Sequence, residues 1–511
     1  MASPEAAGGG ALLVSAAKQA GVQWKPAQLR QAIFSTARFL PAYGAHEQGN
    51  GLFQVGAAWN LLRKNIKTVD IISLAPVNTL LSQFLAAPNF GPGIFEREGW
   101  APNQTAVRTI YFARISGGGP AINYNLTWIG NDGTFSSAGN ISLPLNTVVP
   151  LAITVRPPGL GAHSAILALS DPAGRGIAYE VLNTVVVADD ITGASSWSVS
   201  HPGTADRFDK SSFFFRVPTN TPAFKANING VNGRVKLSRF HPYGLPLDEL
   251  AGYQTGGSQT LTVERPTAGV WELTVDSSRA SPLTQSSYNI AGSLLGAEIT
   301  PVSLTIDPTI LGATNRQIFT FKNLLAAFTG GAAGGPLGSA FAVRPTIAAH
   351  AQQLAAVTVT GGSLSLDVKI GNPSDPRADL DLYLFQETDG VPGLSSGDAF
   401  IAVSGGSTAE EEIFINGPQA GTYYVLIDGF DVPTGATAYD LSDVFTNPAF
   451  GAVTVTDPSV AHPNGDVWMA QVDTQALAKP AAGRFLRGSV QVIGDSAVIG
   501  SATINLRNIS P

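Results

Sequence analysis

The hydrophobic pattern changes character once along the chain, near residue 62. Before that point apolar positions recur at helical spacing. Ala11, Leu12, Leu13, Val14 and Ala16 are apolar nearly all round, which predicts a buried helix. Ser3 suits its N-cap and Pro4 its first turn. Gly8, Gly9 and Gly10 each cost about 1 kcal/mol against Ala inside a helix, so something is expected to pack closely on that face. A second helix is predicted from Pro26 to about Ala37, with Leu29, Ile33 and Ala37 on one side. Gly49 and Gly51 then form a turn that leads into a third short helix ending at Leu62.

After Leu62 the helical period fades. Residues 63–94 read as a connecting segment with a short helix around Val77 to Ala86. From about Ala106 the chain becomes short β-branched and aromatic runs broken by turns. Residues 107–115, 122–128, 148–155, 163–169 and 177–187 are predicted strands, with Asp171-Pro172-Ala173-Gly174 as a turn. Strands at this spacing predict a sandwich of immunoglobulin or fibronectin type.

The later chain holds an internal repeat. Pro266-Thr-Ala-Gly-Val-Trp-Glu-Leu-Thr-Val275 aligns with Pro418-Gln-Ala-Gly-Thr-Tyr-Tyr-Val-Leu-Ile427. Upstream, Arg234 to Phe240 parallels Asp379 to Phe385. In each copy a turn feeds a strand with an aromatic two residues after the Gly. Trp271 and Tyr423 occupy equivalent positions and are expected in the core, whereas Tyr424 points to the other face as a contact residue. The glycine-rich stretch Gly330 to Gly338 is expected to be a flexible loop. The fold class is therefore mainly β: sandwiches and jelly rolls in series behind a helical start. The expected domains are helices at 1–65, a linker at 66–94 and an immunoglobulin-like sandwich at 95–190. A first repeat copy follows at 191–296, a short β module at 297–348, a second copy at 349–447 and a C-terminal β module at 448–511.

Composition narrows the chemistry. Of 511 residues, 44% are hydrophobic and only 13% charged, which argues for folded sheets over disorder. No cysteine is present, so disulfides, thiolate metal sites and cysteine nucleophiles are excluded. A net charge of −7 argues against a nucleic-acid partner. No run of about 18 apolar residues predicts a membrane span. The charge is unevenly spread: residues 351–447 carry fourteen acidic and two basic residues, whereas 195–295 carry seven acidic and nine basic. At the aligned positions the first copy has Arg234 and Lys236 where the second has Asp379 and Asp381. Carboxylates at i and i+2 share one strand face, and Ca²⁺ takes several such oxygens. Asp379 and Asp381, with Asp375 or Glu410 to Glu412, are thus candidate Ca²⁺ ligands. A solvated acidic surface needs no metal and is the competing reading.

Three ordered motifs supply a resemblance. Met1-Ala2-Ser3-Pro4 resembles the second half of G-T-S-M-A-[ST]-P, whose first Ser is the nucleophile of subtilisin-like serine proteases (peptidase S8). Gln28, Leu29, Arg30, Ile33, Thr36 and Ala37 resemble the family's next helix. Gly49, Gly51, Leu52 and Val55 resemble its G-x-G-x-[IVL]-x-[VA] turn. Glu5 departs from the His of many relatives, and the surrounding residues look more like the tripeptidyl-peptidase II branch. Asp379-Leu-Asp-Leu-Tyr383 and Gly421-Thr-Tyr-Tyr-Val425 resemble a bacterial prepeptidase C-terminal domain.

The resemblance implies peptide-bond hydrolysis by an Asp-His-Ser triad whose members are expected upstream of Met1. No catalytic residue is then expected in this chain. Met1, Ala2, Ser3 and Pro4 are a motif remnant, with the nucleophile immediately before Met1. The six histidines, at 46, 163, 201, 241, 350 and 462, stand in no catalytic motif. The implied protein is secreted, its partners are protein or peptide substrates and an N-terminal catalytic part, and it needs no cofactor beyond the candidate Ca²⁺. The alternative is a non-catalytic binding protein of several β-sandwiches with a vestigial helical segment.

Overall fold

A computed structural model describes residues 2–64, 66–248 and 252–511. The chain is mainly β, with its helices at the N-terminal end. It divides into two compact units. One comprises the chain up to Thr221 with Ala226–Leu261 and Pro266–Ser293; the other comprises Pro222–Lys225, Thr262–Arg265 and Leu294–Pro511.

In the first unit, helices α1 (Ala2–Gln19), α2 (Pro26–Thr36) and α4 (Val55–Leu62) share a small core, while the short α3 (Ala45–Gln48) lies against the sandwich that follows. Leu13, Ala32, Ala58, Leu61 and Ile66 meet in that core, with Phe53 and Trp59 against them. Helix α1 buries less than its composition suggests. Leu13 and Ala17 are fully buried, but Ala11 is exposed and Leu12 is 62% exposed. The helix starts at Ala2, so Ser3 lies inside its first turn and is not the cap. Of the three glycines only Gly9 meets a close neighbour: a Cβ there would run into the Phe53 ring, while Gly8 and Gly10 face open space. Nothing in the structure explains those two.

An immunoglobulin-like sandwich follows. Its strands are β1 (Ile71–Asn78), β2 (Phe90–Gly91), β3 (Phe95–Glu96), β4 (Ala106–Arg114) and β5 (Ile122–Ile129). They continue with β6 (Phe135–Ser136), β7 (Asn140–Leu143), β8 (Val148–Val155), β9 (Gly161–Ser170) and β10 (Ile177–Val187). One layer has the order β6-β8-β4-β1 and the other β3-β10-β9-β5-β7, joined where β1 and β3 run parallel. Between them lie Ile110, Phe112, Ile153, Leu167, Leu169 and Val185. The linker expected at 66–94 is corrected here. Ile71 and Ala75 point inward from β1, and the expected helix at 77–86 reduces to one 3₁₀ turn at Ser82–Phe84. The alternation Ile71-x-x-x-Ala75 is broken by Pro76, which hides the strand from a period-2 reading.

Three strands of the two repeat copies share one register, while the strand after the second copy's Tyr439 joins a different sheet. In the first, Ala223–Phe240 pairs with Gly269–Ser277, setting Lys236 opposite Asp276 and Phe240 opposite Glu272. In the second, Asp379–Gln386 pairs with Gly421–Asp431, setting Asp381 opposite Asp428 and Phe385 opposite Tyr424. These are the same aligned positions. The third strand agrees as well: Phe215 faces Trp271, and Val357 faces Tyr423.

In the second unit the segments separated by sequence as 297–348, 349–447 and 448–511 share sheets. One long sheet has the order Ser303–Ile306, Ala497–Leu506, Phe485–Gly494, Gly338–Val343, Asp440–Thr446, Ser365–Gly371, Glu411–Asn416. The flanking β modules are therefore one construction with the second copy. The glycine stretch expected as a flexible loop is largely strand, Phe328–Ala333 and Gly338–Val343. Side chains are excluded there because a Cβ on Gly330 or Gly334 would meet the backbone carbonyl of Ile493 or Val453.

Candidate functional site

Met1 lies outside the described residues, and Ser3, Pro4 and Glu5 are exposed on the first turn of α1. The other motif residues have structural partners. Gln28 accepts the Lys25 amide through Oε1 at 2.7 Å and donates to the Ile66 carbonyl at 2.5 Å. The Thr36 hydroxyl donates back to the Ala32 carbonyl at 2.7 Å. Gly51 has φ +97°, and a Cβ there would collide with the Arg38 carbonyl, whose residue bridges Leu52. Only glycine fits that crossing.

The helices are fastened to one face of the sandwich. Gln31 donates to the Arg175 carbonyl at 3.0 Å, Ser35 Oγ accepts the Ile177 amide at 2.7 Å, and Asn50 donates to Glu180 at 2.8 Å. Burial raises the Glu180 pKa, with the Asn50 bond opposing it. None of these partners follows from sequence spacing, because each pairs residues more than a hundred positions apart. Beside them a cleft of about 870 Å³ is bordered by Lys25, Gln28, Lys67, Tyr124, Asp171 and Arg175. The Tyr124 hydroxyl at this cleft is buried without a hydrogen-bond partner.

Among the described residues the histidines make no Asp-His-Ser line. His46 Nδ1 is 2.9 Å from Ser164 Oγ, which also accepts the His46 backbone amide at 3.1 Å, so the serine caps α3. His163 has Asp132 on Nδ1 at 2.6 Å and the Gly159 carbonyl on Nε2 at 2.9 Å. His201 bonds Asp189 at 2.7 Å. His241 meets the Thr267 hydroxyl. His462 meets Asp466 at 2.8 Å and stacks on Trp468, its Nε2 buried and unpartnered.

The expected Ca²⁺ ligands are divided by their partners. Asp375 is held by Arg377 at 3.1 Å, which lowers its pKa. Glu412 is held by Lys369 and Arg265 at 2.9 and 2.6 Å. Glu410 accepts the Asn372 amide at 2.7 Å. Among the described residues Asp379 and Asp381 have no cationic partner. Desolvation raises both, with Asp381, Glu411 and Asp431 adding for Asp379, and Asp428 and Glu411 adding for Asp381. A different set, Glu387, Asp389 and Asp398, brings carboxylate oxygens within 4.8 Å of one another. The sequence reading missed it because the three lie in a loop without strand alternation. Tyr424, expected as an exposed contact residue, is buried; its hydroxyl donates to Glu387 at 2.9 Å and accepts the Gly393 amide. Trp271 and Tyr423 are buried.

Comparison with known proteins follows these divisions. Residues 72–187 match the family described as an Ig-like domain in actinomycete serine proteases, and residues 353–429 match the bacterial pre-peptidase C-terminal domain. The chain is 27% identical to pyrolysin of Pyrococcus furiosus over 473 residues, 86% of this chain and 31% of pyrolysin. It is 28% identical to tripeptidyl-peptidase 2 of Drosophila melanogaster over 197 residues, 36% of this chain and 13% of that protein. It thus spans less than a third of either relative. The crystal structure of tripeptidyl peptidase 2 covers the whole chain with a TM-score of 0.51 at 14% identity, the chain covering 46% of it, a likeness of fold.

Proposed function

We propose that the chain is the C-terminal, accessory part of a subtilisin-like serine protease and performs no peptide hydrolysis by itself; its likeness to pyrolysin, to the Ig-like domain of actinomycete serine proteases and to the bacterial pre-peptidase C-terminal domain supports this. The observation that carries this reading is the pairing of the motif-bearing helices with the sandwich. Gln31, Ser35 and Asn50 join α2 and the glycine turn to β10 and the turn before it. Residues following the nucleophile motif are thereby held by an accessory domain, which fits a role in bracing the catalytic region and presenting protein or peptide substrate to it. We place the protein outside the cell, in keeping with its likeness to a domain of actinomycete serine proteases. Among the described residues no helix is long and apolar enough to cross a membrane.

The test is hydrolysis of a casein substrate by the purified chain, with and without a serine-directed inhibitor. No turnover is expected. Inhibitor-sensitive turnover would overturn the proposal. Recovery of the protein from washed cells and none from culture medium would overturn its extracellular placement.

A further inference from the structure

Within the second unit, the turn at 479–485 and the end of the last long strand, at 506–509, border a cleft of about 480 Å³. It is basic in an acidic chain. Lys479, Arg484 and Arg507 line it, against one carboxylate, Asp307. That carboxylate accepts the Asn508 side-chain amide at 2.8 Å.

The two guanidinium groups are held in place. Arg484 donates through Nε to Ser339 Oγ at 2.6 Å and through Nη2 to the Ser339 carbonyl at 2.9 Å, and its Nη2 also binds Asp443. Among the described residues its Nη1 has no hydrogen-bond partner. The Arg507 Cζ lies 4.2 Å from the centre of the Phe485 ring, and the ring is itself buried. Neither Lys479 nor Arg507 has a carboxylate within ion-pair distance among the described residues. A second guanidinium, Arg487, lies 5.1 Å from the same ring and donates to Asn505. Burial lowers its pKa, and the charge of Arg507 lowers it further. Like charges are thus gathered around one aromatic ring with fewer carboxylates than cations.

We propose that this cleft binds a doubly charged oxyanion group, phosphate or sulfate, between Arg484 Nη1, Arg507 and Lys479. Two cations lacking a carboxylate match a charge of −2. Planar guanidinium forks match the paired oxygens of such groups. Because protein contacts already fix both arginines, less side-chain freedom is lost on binding. The cleft is large enough for the group to be carried on a bigger molecule.

The test is calorimetry and thermal melting of the full chain with sodium sulfate, inorganic phosphate and dextran sulfate, each against sodium chloride at equal ionic strength. Sulfate or phosphate is expected to bind with a defined stoichiometry and to raise Tm. The variant K479Q changes an exposed side chain and is expected to keep the unliganded Tm; R507Q also loses the contact with the Phe485 ring, so its binding is compared with its own unliganded Tm. Each should weaken sulfate binding about tenfold, the loss of one charge-assisted bond. Binding of dextran sulfate alone, whose sulfate esters carry one negative charge each, would overturn the match to a doubly charged group. A Tm rise that is the same in wild type, R507Q and K479Q is an excluded-salt effect and would overturn the proposal. If R507Q unfolds, K479Q with unchanged affinity overturns it equally.

Discussion

Asp381 lies directly opposite Asp428 across an antiparallel strand pair, at the position where the first repeat copy sets Lys236 opposite Asp276. The other neighbour of Asp276 is Lys210, whereas that of Asp428 is Gln352. One ladder therefore places an acid between two cations, and its copy places an acid against an acid.

Removing the Asp381 charge is expected to stabilise the chain. Burial and the facing carboxylates raise its folded pKa. The stability linked to the protonated group is present below the ordinary carboxylate range and is lost as pH rises through the raised folded value. Asp381→Asn should thus melt higher than wild type at pH 7, by about 0.5 kcal/mol after solvent screening, and equally at low pH. Ca²⁺ held at Asp379 and Asp381 would raise the wild-type Tm and not that of the variant. Thermal melts across pH, with and without Ca²⁺, read both.

Glu96 is expected to be costly to change. It is 3% exposed, accepts Trp100 Nε1 at 2.7 Å, and takes two bonds from Arg108 at 2.5 and 2.9 Å. Glu96→Gln leaves a half-buried guanidinium without its anion. A loss of about 3 kcal/mol in urea unfolding is expected, and a change within 0.5 kcal/mol, about the effect of an ordinary surface substitution, would refute it.

The three helical glycines should separate by neighbour. Gly8→Ala and Gly10→Ala enter open space and are each expected to stabilise by about 0.5 to 1 kcal/mol. Gly9→Ala must displace the Phe53 ring and should destabilise. Denaturant midpoints of the three variants give the order.

Arg114 is fully buried, has no carboxylate partner among the described residues, and donates to the carbonyls of Leu143, Ser116, Gly117 and Pro120. Arg114→Lys retains the charge but not the fork. A loss of about 3 kcal/mol is expected, with faster amide exchange in the 116–121 loop.

Much of the fold was legible where local pattern and tertiary demand agree. The strands at 106–114, 148–155 and 177–187 fall where β-branched runs place them, and the repeat alignment holds residue for residue in the pairing of Phe240 with Glu272 and Phe385 with Tyr424. Legibility failed where distant backbone decides. Gly330 to Gly338 reads as a loop because nothing local reveals that Ile493 and Val453 leave no room for a Cβ. Of the candidate site, Asp379 and Asp381 were visible as alternating acids. The Arg265 that occupies Glu412 was not, since it is far from Glu412 in sequence.

The long sheet of the second unit has a bearing on biosynthesis. Gly338–Val343 hydrogen-bonds on one edge to Asp440–Thr446 and on the other to Phe485–Gly494, which in turn receives Ala497–Leu506. While the ribosome is still adding those last strands, Gly338–Val343 waits with an open edge. The second unit therefore closes only once residue 506 has been made, and a nascent chain stalled before residue 485 would present that edge to any other strand in reach.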